Sequence, residues 1–252
     1  MFSFIRAIRR KRLAREPFPP AWLSVLKRKV PFFEEIPPED RERFLGLLRL
    51  FVAEKRFSGA GGLEVTDEMK VVIASAAALL VLNLGIEYLD RLSEVIVYPE
   101  PFYNPDADEE RSGETHEWGV VLVAWSDVKE DFEYWGDGMN TAIHEFAHVL
   151  DRAAGAFDGT PELHALEHYR RWVKVTSRHF LRLRKGGRPE TRVLDEYGAE
   201  SEAEFFAVAT ESFFGIPAKM RRHTPDLYRE LSRFYRADPL EWRGPRKGKA
   251  SR

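Results

Sequence analysis

The chain of 252 residues contains no cysteine. That absence excludes a disulfide framework and thiolate metal sites, so any metal would have to be held by histidine, aspartate or glutamate. An excess of one charge is also missing. The 39 Lys and Arg against 41 Asp and Glu leave a net charge of -2, so no overall field would draw the chain to nucleic acid. Direct nucleic-acid binding is not expected, although both ends are locally basic. No apolar run is long enough to cross a bilayer. The longest, Val71 to Ile86, contains Ser75, Asn83 and Gly85 and falls short of the ~20 residues a spanning helix needs. It predicts a buried helix and no stable membrane insertion. The cationic start from Phe2 to Arg15 meets Pro17, Pro19 and Pro20 instead of a signal-peptide core, which points to a cytoplasmic protein.

What is present suits one packed unit. Hydrophobic residues make up 44% and charged residues 32% of the sequence, the composition of a globular chain with a sizeable core. Residues 1–20 read as a basic, proline-terminated arm and 241–252 as a basic tail, leaving 21–240 as the main domain. Within it, 21–90 reads as a helical layer: Leu23 and Leu26, then Phe44, Leu48 and Phe51, have helical spacing, and Thr66 before Asp67 and Glu68 opens a further helix. Residues 91–240 hold the strands and the chemistry. Glu94–Tyr98 and Gly119–Trp125 read as strands, with Val120 to Trp125 as the edge of a cleft. Asn104 to Glu117 reads as an acidic solvated connection, since it lacks the Asp/Asn alternation and central glycine of a calcium loop.

The chemistry-bearing pattern is His144-Glu145-Phe146-Ala147-His148. Four-residue spacing on a helix puts both imidazoles on one face within joint reach of a metal, with Glu145 beside them. Neutral imidazole and carboxylate suit zinc, which lowers the pKa of a bound water to about 7 so that Glu145 can take its proton. The apolar neighbours Ile143, Phe146, Ala147, Val149 and Leu150 favour coordination over exposure. His164-Ala165-Leu166-Glu167-His168 fits an inverted zinc pattern, but its charged surroundings read as an amphipathic helix and a coincidence. Asp151 and Ala154 stand where a short-spaced third-ligand motif would need glycine and histidine, so the third ligand must come from a distant carboxylate. Glu204, set among Ala203, Phe205, Phe206 and Ala207, would be costly to bury without a positive partner. Glu211 lies seven residues on, on nearly the same face, and spacing alone does not choose between them. Tyr197 could donate to a developing oxyanion or serve only in packing.

These residues, with Glu94–Phe102, Leu150-Asp151, Asp195–Tyr197, Glu204–Phe214, Phe234-Tyr235 and Asp238–Leu240, resemble the Mlc titration factor A family of zinc-dependent peptidases from about Pro31 to Leu240. The run Tyr197-Gly198 followed by Ser201–Ala207 is also similar to the catalytic domain of anthrax lethal factor. The resemblance implies an α+β, zincin-like metallopeptidase domain, mostly helical with a small sheet. It implies Zn2+ held by His144, His148 and Glu204, Glu145 as base and proton shuttle, and Tyr197 as transition-state donor. Glu211 then becomes a candidate to orient a ligand imidazole, with Asp151 as its rival. Also implied are aminopeptidase-like hydrolysis of short peptides and an interaction with a transcriptional repressor. The alternative is a regulatory binding protein that sequesters such a repressor, with zinc structural or vestigial.

Overall fold

The computed structural model describes residues 2–105, 108–116, 118–153, 155 and 157–242. The expected basic tail lies almost wholly outside them, as do Asp106 and Glu117 of the acidic segment. Among these described residues, eleven α-helices and six strands follow in the order α1 (Phe2–Arg15), α2 (Pro20–Lys29), α3 (Pro38–Glu54), β1 (Arg56–Gly59), α4 (Asp67–Leu80), β2 (Glu94–Tyr98), β3 (Phe102–Asn104), β4 (Glu109–Arg111), β5 (Gly113–His116), β6 (Val120–Ala124), α5 (Trp125–Glu133), α6 (Thr141–Ala153), α7 (Leu166–Leu183), α8 (Glu202–Gly215), α9 (Pro217–His223), α10 (Pro225–Tyr235) and α11 (Pro239–Trp242). The protein is mostly helical with a small mixed sheet, an α+β fold.

The main sheet has the order β1-β2-β6-β5, with β1, β2 and β6 parallel and β5 antiparallel to β6. Three expectations need correction here. The layer 21–90 is not purely helical, because Arg56–Gly59 forms an edge strand of the sheet. The run from Gly119 is not the free edge: Val120–Ala124 lies between β2 and β5, with Val121 and Val123 fully buried, as a continuous apolar run in a central strand should be, and Trp125 already opens α5. The free edge near α6 is Gly113–His116, inside the segment read as a solvated connection, whose other strand β4 pairs with β3 in a separate hairpin.

The predicted buried helix is α4. Thr66 caps it, its hydroxyl accepting from the Met69 amide at 3.3 Å, and every residue from Val71 to Leu80 is buried. It packs between α3 and α6, where Phe51 meets Phe146 edge-on at 5.4 Å between ring centroids. The inverted motif does not lie on one helix, because Ala165 is the N-cap of α7 and His164 precedes it. His168 faces Glu230 at 3.3 Å, and His164 hydrogen-bonds the Phe234 carbonyl at 3.0 Å.

Candidate metal centre

The site is assembled by two helix beginnings and one strand edge. The N-terminus of α6 carries exposed amide donors that must be satisfied. Asn140 Oδ1 accepts from the Ile143 amide at 2.9 Å, Asp131 Oδ2 from Thr141 at 2.6 Å, and Glu211 Oε2 from Asn140 at 2.6 Å. Acceptors, two of them anionic, at this end suit the positive pole of the helix dipole. Helix α8 starts at Ser201, whose hydroxyl accepts from the Glu204 amide at 3.1 Å, and so presents Glu204 from its first turn. Tyr197 sits in the 3-10 turn Glu196–Ala199, capped by Asp195 at 2.8 Å. The next residue must be small: a Cβ on Gly198 would stand 3.2 Å from the Val208 Cβ on α8.

One turn into α6, His144 and His148 point the same way. Their Nε2 atoms are 3.1 Å apart, and the Glu204 Oε2 atom stands 2.9 Å from the first and 3.2 Å from the second. Among the described residues this is the one group of three or more His, Asp or Glu side chains whose ligand atoms converge in this way, all within 4.8 Å. Tetrahedral ligands about 2.1 Å from zinc would stand about 3.4 Å from each other, so the spacing approaches that around such an ion. The donor types fit as well. Two imidazole nitrogens and a carboxylate oxygen are ligand types that zinc takes.

Behind the ligand atoms, His144 Nδ1 meets Glu211 Oε1 at 2.7 Å. The spacing that left Glu204 and Glu211 indistinguishable in the sequence is resolved by direction: one faces both Nε2 atoms, the other the far nitrogen of His144. Asp151 instead accepts from the Gly159 amide at 2.9 Å; its Oδ1 and the His148 Nδ1 are both buried without a hydrogen-bond partner among the described residues. Burial pushes the Asp151 carboxyl up to about 6.

Glu145 is 5% exposed, and its carboxyl is shifted upward chiefly by burial. Sequence reasoning missed what holds it: Thr115 Oγ1 on β5 donates to Glu145 Oε2 at 2.7 Å and stands 3.0 Å from the Glu145 carbonyl. Burial opposes charge on Glu204 and on His144, but the hydrogen bonds between them prevail. Both imidazoles hold Glu204 well below the usual carboxylate range, and Glu211 and Glu204 raise His144 well above an ordinary histidine. Tyr197 lies with its ring 5.9 Å from that of His144, and burial shifts its phenol upward, so it stays a hydrogen-bond donor at neutral pH.

Comparison with known proteins gives the family of the chain. Residues 5–236 match the family described as glucose-regulated metallo-peptidase M90. A relative from Synechocystis sp., uncharacterized protein slr2042, is 35% identical over 247 residues, covering 92% of this chain and 89% of the relative. Mlc titration factor A from Edwardsiella ictaluri is 32% identical over 84% of this chain and 86% of its own length. The Pectobacterium atrosepticum protein of the same name is 31% identical over 84% of each. The family match points to a metallopeptidase-like domain, and the converging His144, His148 and Glu204 are compatible with it. The chain belongs to the M90 metallo-peptidase family, alongside the Mlc titration factor A proteins.

Proposed function

We propose that the protein is a zinc-dependent peptidase in which His144, His148 and Glu204 hold the metal and Glu145 is the general base. The convergence of three ligand atoms beside a buried carboxylate is the observation that carries this reading. The donor set, two imidazoles and one carboxylate, is that of catalytic zinc with a coordination position left for solvent. When bound, zinc would act as a Lewis acid toward the substrate carbonyl and make water a better nucleophile. Glu145 takes the proton of the attacking water and delivers it to the leaving amine. Tyr197 donates its phenolic proton in a hydrogen bond to the carbonyl oxygen as negative charge develops there. Glu211 fixes the His144 ring through Nδ1, which keeps the Nε2 lone pair aimed at the metal.

In this reading the domain is zincin-like: α6 runs behind the edge strand β5, and α8 brings the third ligand. Residues 21–240 make up the peptidase domain, with 21–90 framing it and 91–240 carrying the site. A cytoplasmic setting fits this reading. No helix among the described residues is long and apolar enough to cross a membrane. The family resemblance adds a protein partner of the repressor class to the proposal, and relatives carry the name Mlc titration factor A.

The test is metal content and turnover measured together. About one zinc per chain is expected in wild type, with loss in His148→Ala and Glu204→Ala. Glu145→Gln should retain zinc while peptide hydrolysis falls by about 10²–10⁴-fold, the usual weight of general base catalysis. A zinc-loaded Glu145→Gln variant with full hydrolytic activity would sink the assignment.

A further inference from the structure

Tyr197 lines a trough of about 290 Å³ together with Gly113, Glu145, His148 and Glu204. Its place there is set through the backbone. The Asp195 carboxylate accepts from the Tyr197 amide at 2.8 Å, the Asp195 carbonyl from Gly198 at 3.2 Å, and the Tyr197 carbonyl from Glu200 at 3.1 Å. So short a turn keeps its position only if the chain entering it is held. That chain, residues 184–195, runs from the end of α7 without helix or strand, and its hydrogen bonds follow one another. The Gly187 amide donates to the Arg182 carbonyl at 2.8 Å, Thr191 to Gly187 at 3.0 Å, and Val193 and Leu194 both to the Glu190 carbonyl at 2.9 Å. Val193 and Leu194 are buried, and the Ser212 hydroxyl on α8 donates to the Val193 carbonyl. The segment is a linked series of turns from α7 to Tyr197, and Glu190 is its fixed point.

Glu190 is fully buried, with its Oε1 atom 2.7 Å from Nδ1 of His179 on α7. His179 is buried as well, and its Nε2 lies 2.9 Å from Asp226 Oδ1 in the first turn of α10. Asp226 has a second cation in Arg178. Glu190, among the described residues, has His179 as its one hydrogen-bonding side chain, with Arg182 3.8 Å away. Gly187 makes room for the carboxylate, since a Cβ there would stand 2.7 Å from Glu190 Oε2. Burying such a pair gains little stability over apolar packing of the same volume, and Val193 and Leu194 already anchor the segment by packing. What the pair adds is direction, because hydrogen bonds hold only over a narrow range of distance and angle.

We infer that His179 and Glu190 are positioning residues for Tyr197, a buried latch that fixes the turn presenting the phenol to the candidate metal centre. The inference rests on the peptidase reading of that centre. Neither residue lines the trough. They act through the Glu190 carbonyl, which holds the Val193 and Leu194 amides, and Leu194 leads directly into Asp195, the cap of the Tyr197 turn. Helix α7 meets the segment a second time at Gly198, where a Cβ would stand 3.4 Å from Leu183 Cδ2 and 3.2 Å from the Val208 Cβ. His179 and Leu183 are one helical turn apart and so share a face of α7, which holds the segment at its middle and at its end. A phenol that donates to a developing oxyanion works only within hydrogen-bond reach, and its misplacement by about 1 Å costs up to about 10²-fold in rate.

The test compares two substitutions of His179 that each keep one arm of the latch. An asparagine amide reaches about as far as Nδ1 and a glutamine amide about as far as Nε2, so His179→Asn keeps a donor toward Glu190 and His179→Gln keeps one toward Asp226. With the full, zinc-loaded protein and an amino-acid nitroanilide, His179→Gln should lower kcat about tenfold or more, though by no more than Tyr197→Phe does, while His179→Asn stays within about threefold of wild type. KM and zinc content should change little in either. Added to Tyr197→Phe, His179→Gln should cost no further activity, because the group it positions is gone. Equal losses in the two His179 variants, or a loss that persists in the Tyr197→Phe background, would overturn the inference while leaving the peptidase reading standing. A second readout needs no turnover: in the zinc-loaded protein, His179→Gln should shift the backbone amide NMR signals of Tyr197 and Gly198, and His179→Asn should leave them in place. Unmoved signals in His179→Gln would overturn the latch. Shifted signals with no hydrolysis of any peptide by wild type would instead sink the peptidase reading, and the catalytic use of the latch with it.

Discussion

Glu145 has each carboxylate oxygen placed by a different residue of β5. Thr115 donates to Oε2, while Gly113 leaves open the space beside Oε1, where a Cβ would stand only 2.5 Å away. The strand thus directs one oxygen toward the trough and pins the other. Thr115→Val removes the hydroxyl at nearly constant shape, and we expect kcat to fall about tenfold, the weight of one hydrogen bond to a charged group, with KM and zinc content little changed. Thr115→Ser should recover most of that loss; equal loss in both variants would show that the methyl, not the hydroxyl, matters. Glu211→Ala should weaken zinc binding about 10–100-fold, as removal of partners of metal-bound histidines does, measured by competition with a chromogenic chelator. At this scale the sequence was most readable where the chemistry depends on local spacing. His144, Glu145 and His148 are one helical turn, so their number and order suffice. The choice between Glu204 and Glu211 depends on which nitrogen of His144 each faces, and that direction is set by how α8 packs on α6.

Among elements, the long apolar ones were legible and the short polar ones were not. Val71–Leu80 announces a buried helix because nothing else accommodates ten consecutive buried side chains. Gly113-Glu114-Thr115-His116 carries no hydrophobic alternation, since one face meets Glu145 and on the other Glu114 accepts from Asn104 at 2.7 Å, and its strand character comes from pairing with β6. Lys55 shows the same dependence on distant chain. It ends α3 with its ammonium buried, donating to the Leu89 and Leu92 carbonyls at 2.6 and 2.7 Å, and burial lowers its pKa to about 8. These bonds tie the end of α3 to the turn that feeds β2. Lys55→Met would keep the bulk but leave the Leu92 carbonyl without its donor, while the Leu89 carbonyl keeps the Leu92 amide at 3.1 Å, at a cost of about 1–3 kcal/mol. Thermal melting should then move down by about 2–12 °C for a chain of this length, and an unchanged midpoint would mean that water replaces the lysine.

Over the whole molecule, the first helix and the metal pose one question: what holds the fold together before chemistry begins? The N-terminal segment, read as a solvated basic arm, is α1 docked on α3. Arg10 is 8% exposed and forms a two-pronged ion pair with Glu54 at 2.9 and 2.7 Å, with Asp90 at 2.6 Å. An arginine-rich helix has no apolar stripe to betray such docking, and its acidic partners lie 44 and 80 residues away. The helices bearing the candidate ligands are likewise held by packing: α6 through Phe146 against Phe51, and α8 through Phe206, whose ring lies 5.7 Å from Trp172 and 5.9 Å from Phe234. A core of this kind folds without metal, unlike small domains whose only core is the ion. Metal then stabilises by mass action alone. Free zinc at a thousandfold excess over its Kd would add about 4 kcal/mol, or about 8–16 °C in Tm. Chelation should therefore lower Tm by that amount while leaving the far-UV circular dichroism at 25 °C unchanged. Loss of helical signal on chelation at 25 °C would place the metal among the determinants of the fold, and the packing of α4, α6 and α8 would no longer suffice to explain it.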